Sequence, residues 1–217
     1  MNLIALTDTK LAALHRKADN EIERRTKAAT NGHDSAAIVK GQEMAKRAVV
    51  VAAAGRHSLH FFGPPNTGKT MLRAVALELG LAETFESRPC PCGYASDPRR
   101  ACKCTARKVE RHIANFPTAD ITVEVPPIPE REMSSRLPGT TLADMRQQID
   151  NMAQHESLDL DEHSRNLLKA AVSELGIDAT ARGVIVRVAR TIANLDGRED
   201  IEASHFCEAV NYRMFVR

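Results

Sequence analysis

The sequence contains no tryptophan and few aromatic residues of any kind, which limits how its interior can be built. Aromatic residues make up 4% of the 217 residues, whereas hydrophobic residues as a whole make up 43%. An interior with few large rings is filled mainly by Ala, Val and Leu, which are frequent in helical proteins. The composition therefore predicts a globular, largely helical chain and argues against disorder over most of its length.

Long apolar runs are also absent, and the chain has no strong charge of either sign. No stretch approaches the roughly 18 apolar residues that a membrane-spanning helix requires, and Asp8 interrupts the apolar part of any N-terminal signal. The formal net charge of +2 does not by itself indicate a nucleic-acid or membrane partner. We expect a cytoplasmic protein, whose five cysteines are thiols or metal ligands rather than disulfides.

The stretch FFGPPNTGKTML, residues 61–72, has the spacing of a phosphate-binding loop of the Walker A type. An apolar run before it predicts a strand, and helical spacing after it predicts a helix, which is the context that such a loop requires. Backbone N–H groups and a helix N-terminus then surround an anion, while a lysine reaches the outer phosphates and a hydroxyl ligates Mg²⁺.

The predicted nucleotide-binding residues are Gly63, Pro64, Pro65, Asn66, Thr67, Gly68, Lys69 and Thr70. Thr70 is the predicted Mg²⁺ ligand. The alternative interpretation is a glycine-rich turn from strand to helix that binds nothing.

Four of the five cysteines lie in a Pro/Gly-rich segment that we predict to be a loop over residues 89–104. Cys90, Cys92, Cys102 and Cys104 have the spacing C-x-C-x9-C-x-C. Four thiolates could surround Zn²⁺ tetrahedrally, and such a metal would be structural because it has no open coordination position. Free thiols and a disulfide pair are the alternatives, and zinc is the interpretation that we favour.

The densest basic region of the chain surrounds this segment. Its members are Arg88, Arg99, Arg100, Lys103, Arg107, Lys108 and Arg111. Such a region is compatible with contact to DNA. Few aromatic residues accompany it, however, so a solvated surface is the favoured interpretation.

Several blocks of the sequence together resemble AAA+ ATPases of the magnesium-chelatase/ComM type. The blocks are GQEMAKRAVVVAAAGRHSLHFFGPPNTGKTML, PCPCGY, CKC, DITVEVP and RVARTIANLDGREDIEASHFCEAVNYR. The resemblance implies an α/β fold, in which a three-layer P-loop NTPase core precedes an all-helical lid. We accordingly divide the chain into a helical arm (1–37), the core with its cysteine loop (38–129) and the lid (130–217), with lid helices near 141–156, 161–175, 179–195 and 202–215.

Parts that ATP hydrolysis requires in this family are not found in the sequence. No run of four apolar residues is followed by Asp-Glu, and only 19 residues separate Thr70 from Cys90. Arg88 stands where the resemblance implies a polar sensor, and the segment NFPTAD lacks the expected interface arginine. Glu124 ends a later strand and is interpreted as a solvated residue rather than a catalytic acid.

Arg182 matches the second sensor arginine of the family, so the resemblance implies that it contacts the γ-phosphate. An exposed arginine on a helix surface is the alternative.

The shortened segment also implies a reduced sheet. The strand order in the family is 5-1-4-3-2, and the absent part corresponds to strands 2 and 3. Three adjacent parallel strands should remain, near residues 58–62, 84–88 and 121–125, with the phosphate loop on the central strand. Loss of the outer strands would leave strand 4 as an open edge.

The resemblance thus implies a protein that binds ATP and Mg²⁺ without the groups for hydrolysis, so that ATP acts as a conformational ligand. One alternative is an ATPase that is active only in a mixed ring, where a full-length partner supplies the missing groups. Another is a non-enzymatic, zinc-bearing adaptor for DNA or protein, and a third is an internally deleted chain without a selected role. The implied partners are other AAA+ subunits in a homo- or hetero-oligomer, and no membrane.

Overall fold

The chain combines short strands with helices in its first half and is mainly helical in its second. The structure, a computed structural model, describes residues 34–134, 139–175 and 177–213. The elements are α1 (Ser35–Ile38), α2 (Glu43–Gly55), β1 (Leu59–Phe62), α3 (Lys69–Glu78), β2 (Thr84–Ser87), α4 (Ala106–Ile113), β3 (Ile121–Glu124), α5 (Glu130–Met133), α6 (Leu142–Asp150), α7 (Glu162–Leu175), α8 (Ala179–Leu195) and α9 (Ala203–Asn211). Within those ranges, no helix is both long enough and apolar enough to cross a bilayer. The predicted arm over residues 1–37 lies almost wholly outside the described residues.

A three-stranded parallel sheet organises the first half, with the strand order β2-β1-β3. Leu59 of β1 lies opposite Thr84 on one side and Ile121 on the other. This confirms the predicted reduced sheet, in which the loop over residues 63–70 follows the central strand. Every residue of β1 is buried, because the strand has a neighbour at each edge and side chains packed on both faces.

The two edges of the sheet differ. On the β3 side, the N–H of Thr122 donates to the carbonyl of Tyr212 at 2.9 Å, and Arg213 Nη1 donates to the Ala119 carbonyl at 3.0 Å. The segment after α9 therefore covers this edge. On the outer side of β2, no further strand is paired among the described residues, in agreement with the predicted open edge.

One continuous hydrophobic core joins the sheet to the C-terminal helices. Val49 of α2 and Ile192 of α8 are fully buried members of it, and these two helices pack against each other. Burial of each such side chain contributes about 1.5–3 kcal/mol. Arg47 on α2 adds polar contacts, since its guanidinium lies 3.1 Å from Glu208 Oε1 and 3.1 Å from Asp196 Oδ1. The core thus continues across the proposed boundary near residue 130.

The helix predicted over residues 141–156 is shorter in the structure, because α6 ends at Asp150. Beyond it, the N–H of Ala153 donates to the Asn194 carbonyl at 2.9 Å, and Asn194 Nδ2 donates to the His155 carbonyl at 3.0 Å. These hydrogen bonds to α8 hold the chain in a non-helical path. Tertiary contacts therefore override a local sequence that would allow the helix to continue.

His60, in the centre of the sheet, is buried, and neither of its ring nitrogens has a hydrogen-bond partner among the described residues. Its ring packs edge-on against Phe116, with the centroids 5.0 Å apart. Burial away from water lowers the pKa of His60 from 6.5 to about 4. The folded protein therefore holds this imidazole in its neutral form.

We predict that His60→Leu makes the free energy of unfolding less dependent on pH between about 6.5 and about 4. In this window the unfolded chain accepts a proton that the folded chain refuses, so wild-type stability falls as the pH falls, by up to about 1.4 kcal/mol per pH unit. Leucine is similar in volume and cannot titrate, so this part of the slope should vanish. Urea unfolding at several pH values measures the slope, and His163→Leu, at an exposed position, should retain the wild-type slope. Equal slopes in the two variants would contradict the prediction.

Candidate functional site

Loop 63–70, which joins β1 to α3, borders a cavity of about 550 Å³. The loop and the first turn of α3 form one wall, and the end of β2 forms the other. The lining residues are Pro65, Asn66, Thr67, Gly68, Lys69, Thr70, Met71, Glu86, Ser87 and Arg88. The structure therefore brings six of the eight predicted nucleotide-binding residues to one concave surface.

The remaining two predicted residues, Gly63 and Pro64, form the base of the loop. A Cβ at Gly63 would collide with the backbone carbonyl of Val125, so only glycine permits this close approach to the chain after β3. The loop then turns through Asn66 and Gly68, which have φ angles of 61° and 95°. Left-handed residues that alternate with others in a loop turn backbone N–H groups towards a concave side.

Lys69 lies at the start of α3 with its side chain folded back onto the loop. Its ammonium donates to the Gly63 carbonyl at 2.9 Å and to the Pro64 carbonyl at 2.6 Å. Burial lowers the pKa of Lys69 below its ordinary value, an effect that the carboxylate of Glu86 opposes and the guanidinium of Arg88 reinforces. An anion in the cavity would compete with these two carbonyls for the ammonium group.

Glu86 contributes a carboxylate that the sequence analysis did not identify. The hydroxyl of Thr70, the predicted Mg²⁺ ligand, donates to Glu86 Oε2 at 3.0 Å. Glu86 and Arg88 are two positions apart at the end of β2, and both line the cavity. The sequence pattern gave no sign of this acid because it does not follow a run of four apolar residues. Glu86 could have been found from the predicted strand order, because adjacent parallel strands bring their carboxyl ends to one edge of the sheet.

Two other residues considered from the sequence lie elsewhere. Arg182 is exposed near the start of α8 and does not line this cavity. Its contact with a phosphate therefore stays a prediction. Glu124, at the end of β3, borders a different and mainly apolar cavity of about 750 Å³ together with Met44 and Tyr212. Its position agrees with the interpretation that it does not act at loop 63–70.

The four cysteines of the predicted loop come together in space. Their sulfur atoms all lie within 4.8 Å of one another. Cys90 Sγ is 3.3 Å from Cys92 Sγ and 3.6 Å from Cys102 Sγ. Sulfurs arranged tetrahedrally at the usual Zn–S distance of about 2.3 Å would be about 3.8 Å apart. Cys90, Cys92, Cys102 and Cys104 thus form a group that could hold a metal ion.

Backbone N–H groups already stabilise one thiolate of this group. The N–H groups of Lys103 and Tyr94 are directed at the sulfur of Cys92 and lower the pKa of that thiol to about 6. Hydrogen bonds to the charged form of a group favour that form. Burial raises the pKa of Cys102 and Cys104, so the backbone favours the metal-binding form of sulfur at Cys92 in particular.

The cysteine loop packs directly against loop 63–70. A Cβ at Gly93, where φ is +88°, would lie 3.1 Å from both Cγ and Cδ of Pro65. A smaller cavity of about 340 Å³ lies between the two loops, and Tyr94 and Arg100 line it together with Pro65 and Asn66. The cysteine loop consequently supports one side of loop 63–70.

Two residues of the predicted basic region are engaged within the protein. Arg99 Nε donates to Asp97 Oδ1 at 3.0 Å, and the guanidinium carbon of Arg100 lies 5.2 Å from the centroid of the Tyr94 ring. Both contacts are internal to the cysteine loop. These contacts stabilise the outer part of the cysteine loop, so the two arginines do not form part of a row of free cations.

We predict that Gly93→Ala destabilises the protein more than Gly80→Ala does. Both glycines have a left-handed φ, +88° and +84°, so alanine at either position costs about 1–2 kcal/mol. Alanine at 93 must also displace Pro65, which adds about 1–3 kcal/mol, whereas nothing lies within 4 Å of a Cβ at 80. Urea unfolding of the two variants measures the difference. Equal losses would mean that the two loops do not pack as described.

Two family models match separate parts of the chain. Residues 35–87 match the model described as magnesium chelatase, subunit ChlI. Residues 130–213 match the model described as magnesium chelatase, subunit ChlI C-terminal. Loop 63–70 and Glu86 lie within the first match, whereas the cysteine loop lies between the two.

Short segments of the chain are also similar to known proteins. Over 32 residues the chain is 69% identical to the competence protein ComM of Haemophilus influenzae, which covers 15% of this chain and 6% of that protein. Over 40 residues it is 52% identical to the Escherichia coli protein YifB, which covers 18% of this chain and 8% of that protein. Each alignment thus spans less than a tenth of the relative's length.

Proposed function

We propose that this chain, which belongs to the magnesium-chelatase/ComM-type family, binds ATP with Mg²⁺ at loop 63–70 and uses it as a conformational ligand. The observation that carries the proposal is the cavity in which Lys69, Thr70 and Glu86 meet at the amino end of α3. It supports the interpretation of residues 63–70 as a Walker A loop.

The residues of the cavity fit a triphosphate. The N-terminus of the ten-residue helix α3 offers backbone N–H groups and a partial positive charge. The Lys69 ammonium, held now by two backbone carbonyls, would exchange them for phosphate oxygens, which form stronger charge-assisted hydrogen bonds. The Thr70 hydroxyl would ligate Mg²⁺, which neutralises phosphate charge when bound.

Binding without efficient hydrolysis is the role that this site supports best. Hydrolysis by such loops requires a positioned water and a cation that neutralises the transferred phosphate. The interface arginine that the family resemblance implies for this role is absent from the segment NFPTAD, and Arg182, the second sensor candidate, is exposed and does not line the cavity. In our proposal residues 130–217 act as the family's helical lid, and binding brings Arg182 towards the outer phosphate. A ligand at about one hundred times its Kd would stabilise the bound form by about 2.7 kcal/mol.

We predict that Lys69→Ala raises the Kd for a fluorescent ATP analogue with Mg²⁺ by at least about tenfold, because a hydrogen bond to a charged group contributes about 1.5–3 kcal/mol. Fluorescence titration measures the Kd, and a thermal melt checks that the variant is folded. Lys108→Ala, at an exposed position on α4, is the matched control and should bind as the wild type does. Phosphate release by the wild type should stay at background. Steady release by the isolated protein would refute the role as a ligand-binding, non-hydrolysing site.

We also propose that the cysteine group holds a structural Zn²⁺. The sulfur distances of 3.3 and 3.6 Å support this, because they are close to those of a tetrahedral tetrathiolate site. A loop of this length has little apolar surface of its own to bury, so a metal would supply the stabilisation that a core cannot. All four ligands come from one loop, which leaves no open position for a substrate.

Purified protein should contain about one zinc per chain by elemental analysis. Cys102→Ser should lose most of it, because three remaining thiolates close the site poorly, and its melting temperature should fall. Cys207→Ser changes an exposed cysteine of α9 and is the control. Equal zinc contents in the two variants would be incompatible with a four-cysteine site. Zinc without any nucleotide affinity would instead favour the adaptor alternative.

A further inference from the structure

We propose that Glu86 is the carboxylate that positions the Mg²⁺ of the bound nucleotide, in place of the strand-ending acid that the sequence lacks. The inference rests on the nucleotide site proposed above and adds to it a residue for which the sequence has no motif. Glu86 acts here as a positioning residue, because it touches the metal-ligating hydroxyl of Thr70.

The hydrogen bond between Thr70 and Glu86 is the first argument. Thr70 Oγ1 donates its proton to Glu86 Oε2 at 3.0 Å. A hydroxyl that ligates a cation must present a lone pair to the metal and direct its proton elsewhere. By accepting this proton, the Glu86 carboxylate leaves the lone pairs of the Thr70 oxygen free for a cation. Partners of this kind orient metal ligands and raise their basicity.

The charges around the cavity give a second, independent argument. The Glu86 carboxylate lines the cavity together with Lys69 and Thr70, so its negative charge lies beside the residue that would ligate the cation. Arg88, two positions further along, lines the same cavity and places a positive charge beside it. The end of β2 therefore supplies two charges. The Glu86 carboxylate lies next to Thr70, where Mg²⁺ would bind, and the Arg88 guanidinium is available to the phosphates.

The topology explains why β2 supplies this residue. Glu86 lies opposite Phe61 of β1, so its side chain stands near the level at which β1 ends and the loop begins. Glu124 lies at nearly the same level on β3, the other strand paired with β1, where it is opposite Phe62. It nevertheless borders a different cavity. A glutamate at the carboxyl end of the sheet is therefore not sufficient to reach the cavity beside Thr70. The position has to be on the strand whose end faces the first turn of α3.

A charge-removing substitution separates this role from a merely structural contact. Glu86→Gln keeps the length of the side chain and an oxygen that accepts the Thr70 proton, but it removes the negative charge. The Kd of a fluorescent ATP analogue is measured over a series of Mg²⁺ concentrations and in EDTA. Mg²⁺ should increase the affinity of the protein for the nucleotide, and we call the Mg²⁺ concentration that gives half of this increase the Mg²⁺ midpoint. In Glu86→Gln this midpoint should rise about 10- to 100-fold, while the Kd in EDTA should stay near that of the wild type.

Two controls complete the experiment. Glu124→Gln makes the same change at the matching level of β3 and should leave the Mg²⁺ curve unchanged. Glu86→Asp keeps the charge on a shorter side chain and should restore part of the Mg²⁺ dependence. Thermal melts without ligand check that all three variants are folded.

The possible failures can be told apart. An unchanged Mg²⁺ midpoint in Glu86→Gln, with nucleotide still bound, overturns the role of Glu86 and leaves the proposed function standing. An equal loss of affinity with and without Mg²⁺ overturns it too, since it would reveal only a contact between α3 and β2. A wild-type protein that binds no nucleotide under either condition overturns both proposals.

Discussion

The parallel pairing of β2 with β1 is the contact on which the candidate site depends. Parallel strands bring their carboxyl ends to the same edge of a sheet, and this places Glu86 and Arg88 beside the loop that follows β1. The pairing continues into the loop itself, because the N–H of Gly63 donates to the Ser87 carbonyl at 3.3 Å. An antiparallel β2 would put the opposite end of the strand there. The cavity is thus a property of two strands and the helix between them, and the loop sequence alone would not create it.

A sheet of three strands needs help from other elements to be stable. Here the help comes from α2 and α8, which pack against each other in one continuous core, and from Tyr212, whose carbonyl accepts a hydrogen bond from Thr122 at the edge of β3. The C-terminal helices therefore contribute to the stability of the half that contains the sheet and loop 63–70, as well as to any role as a lid. A change at the α2–α8 interface would be felt in both halves, because no described boundary divides the core.

The sequence allowed the sheet and loop 63–70 to be predicted, since a spaced motif fixes the loop and family resemblance fixes the strand order. It did not reveal the end of α6, which depends on hydrogen bonds between Asn194 and two residues far from it in the chain, Ala153 and His155. Glu86 was missed for a similar reason. The strand TFES has no distinctive pattern, and its importance appears only when β2 is set beside β1. Resemblance can likewise single out Arg182 but cannot place its side chain, because that depends on how α8 packs.

The proposed nucleotide site and the cysteine group lie in two loops that pack against each other, so we expect them to be energetically coupled. Gly93 directly follows the ligand candidate Cys92, and a Cβ at this position would lie only 3.1 Å from the ring of Pro65 in loop 63–70. A metal that fixes the cysteine loop would therefore restrict the positions available to Pro65, and with it the loop that surrounds the phosphates. Linkage is reciprocal: whatever factor a metal adds to the affinity for nucleotide, nucleotide must add to the affinity for metal. The close contact between the two loops, rather than any shared ligand, is what would transmit this coupling.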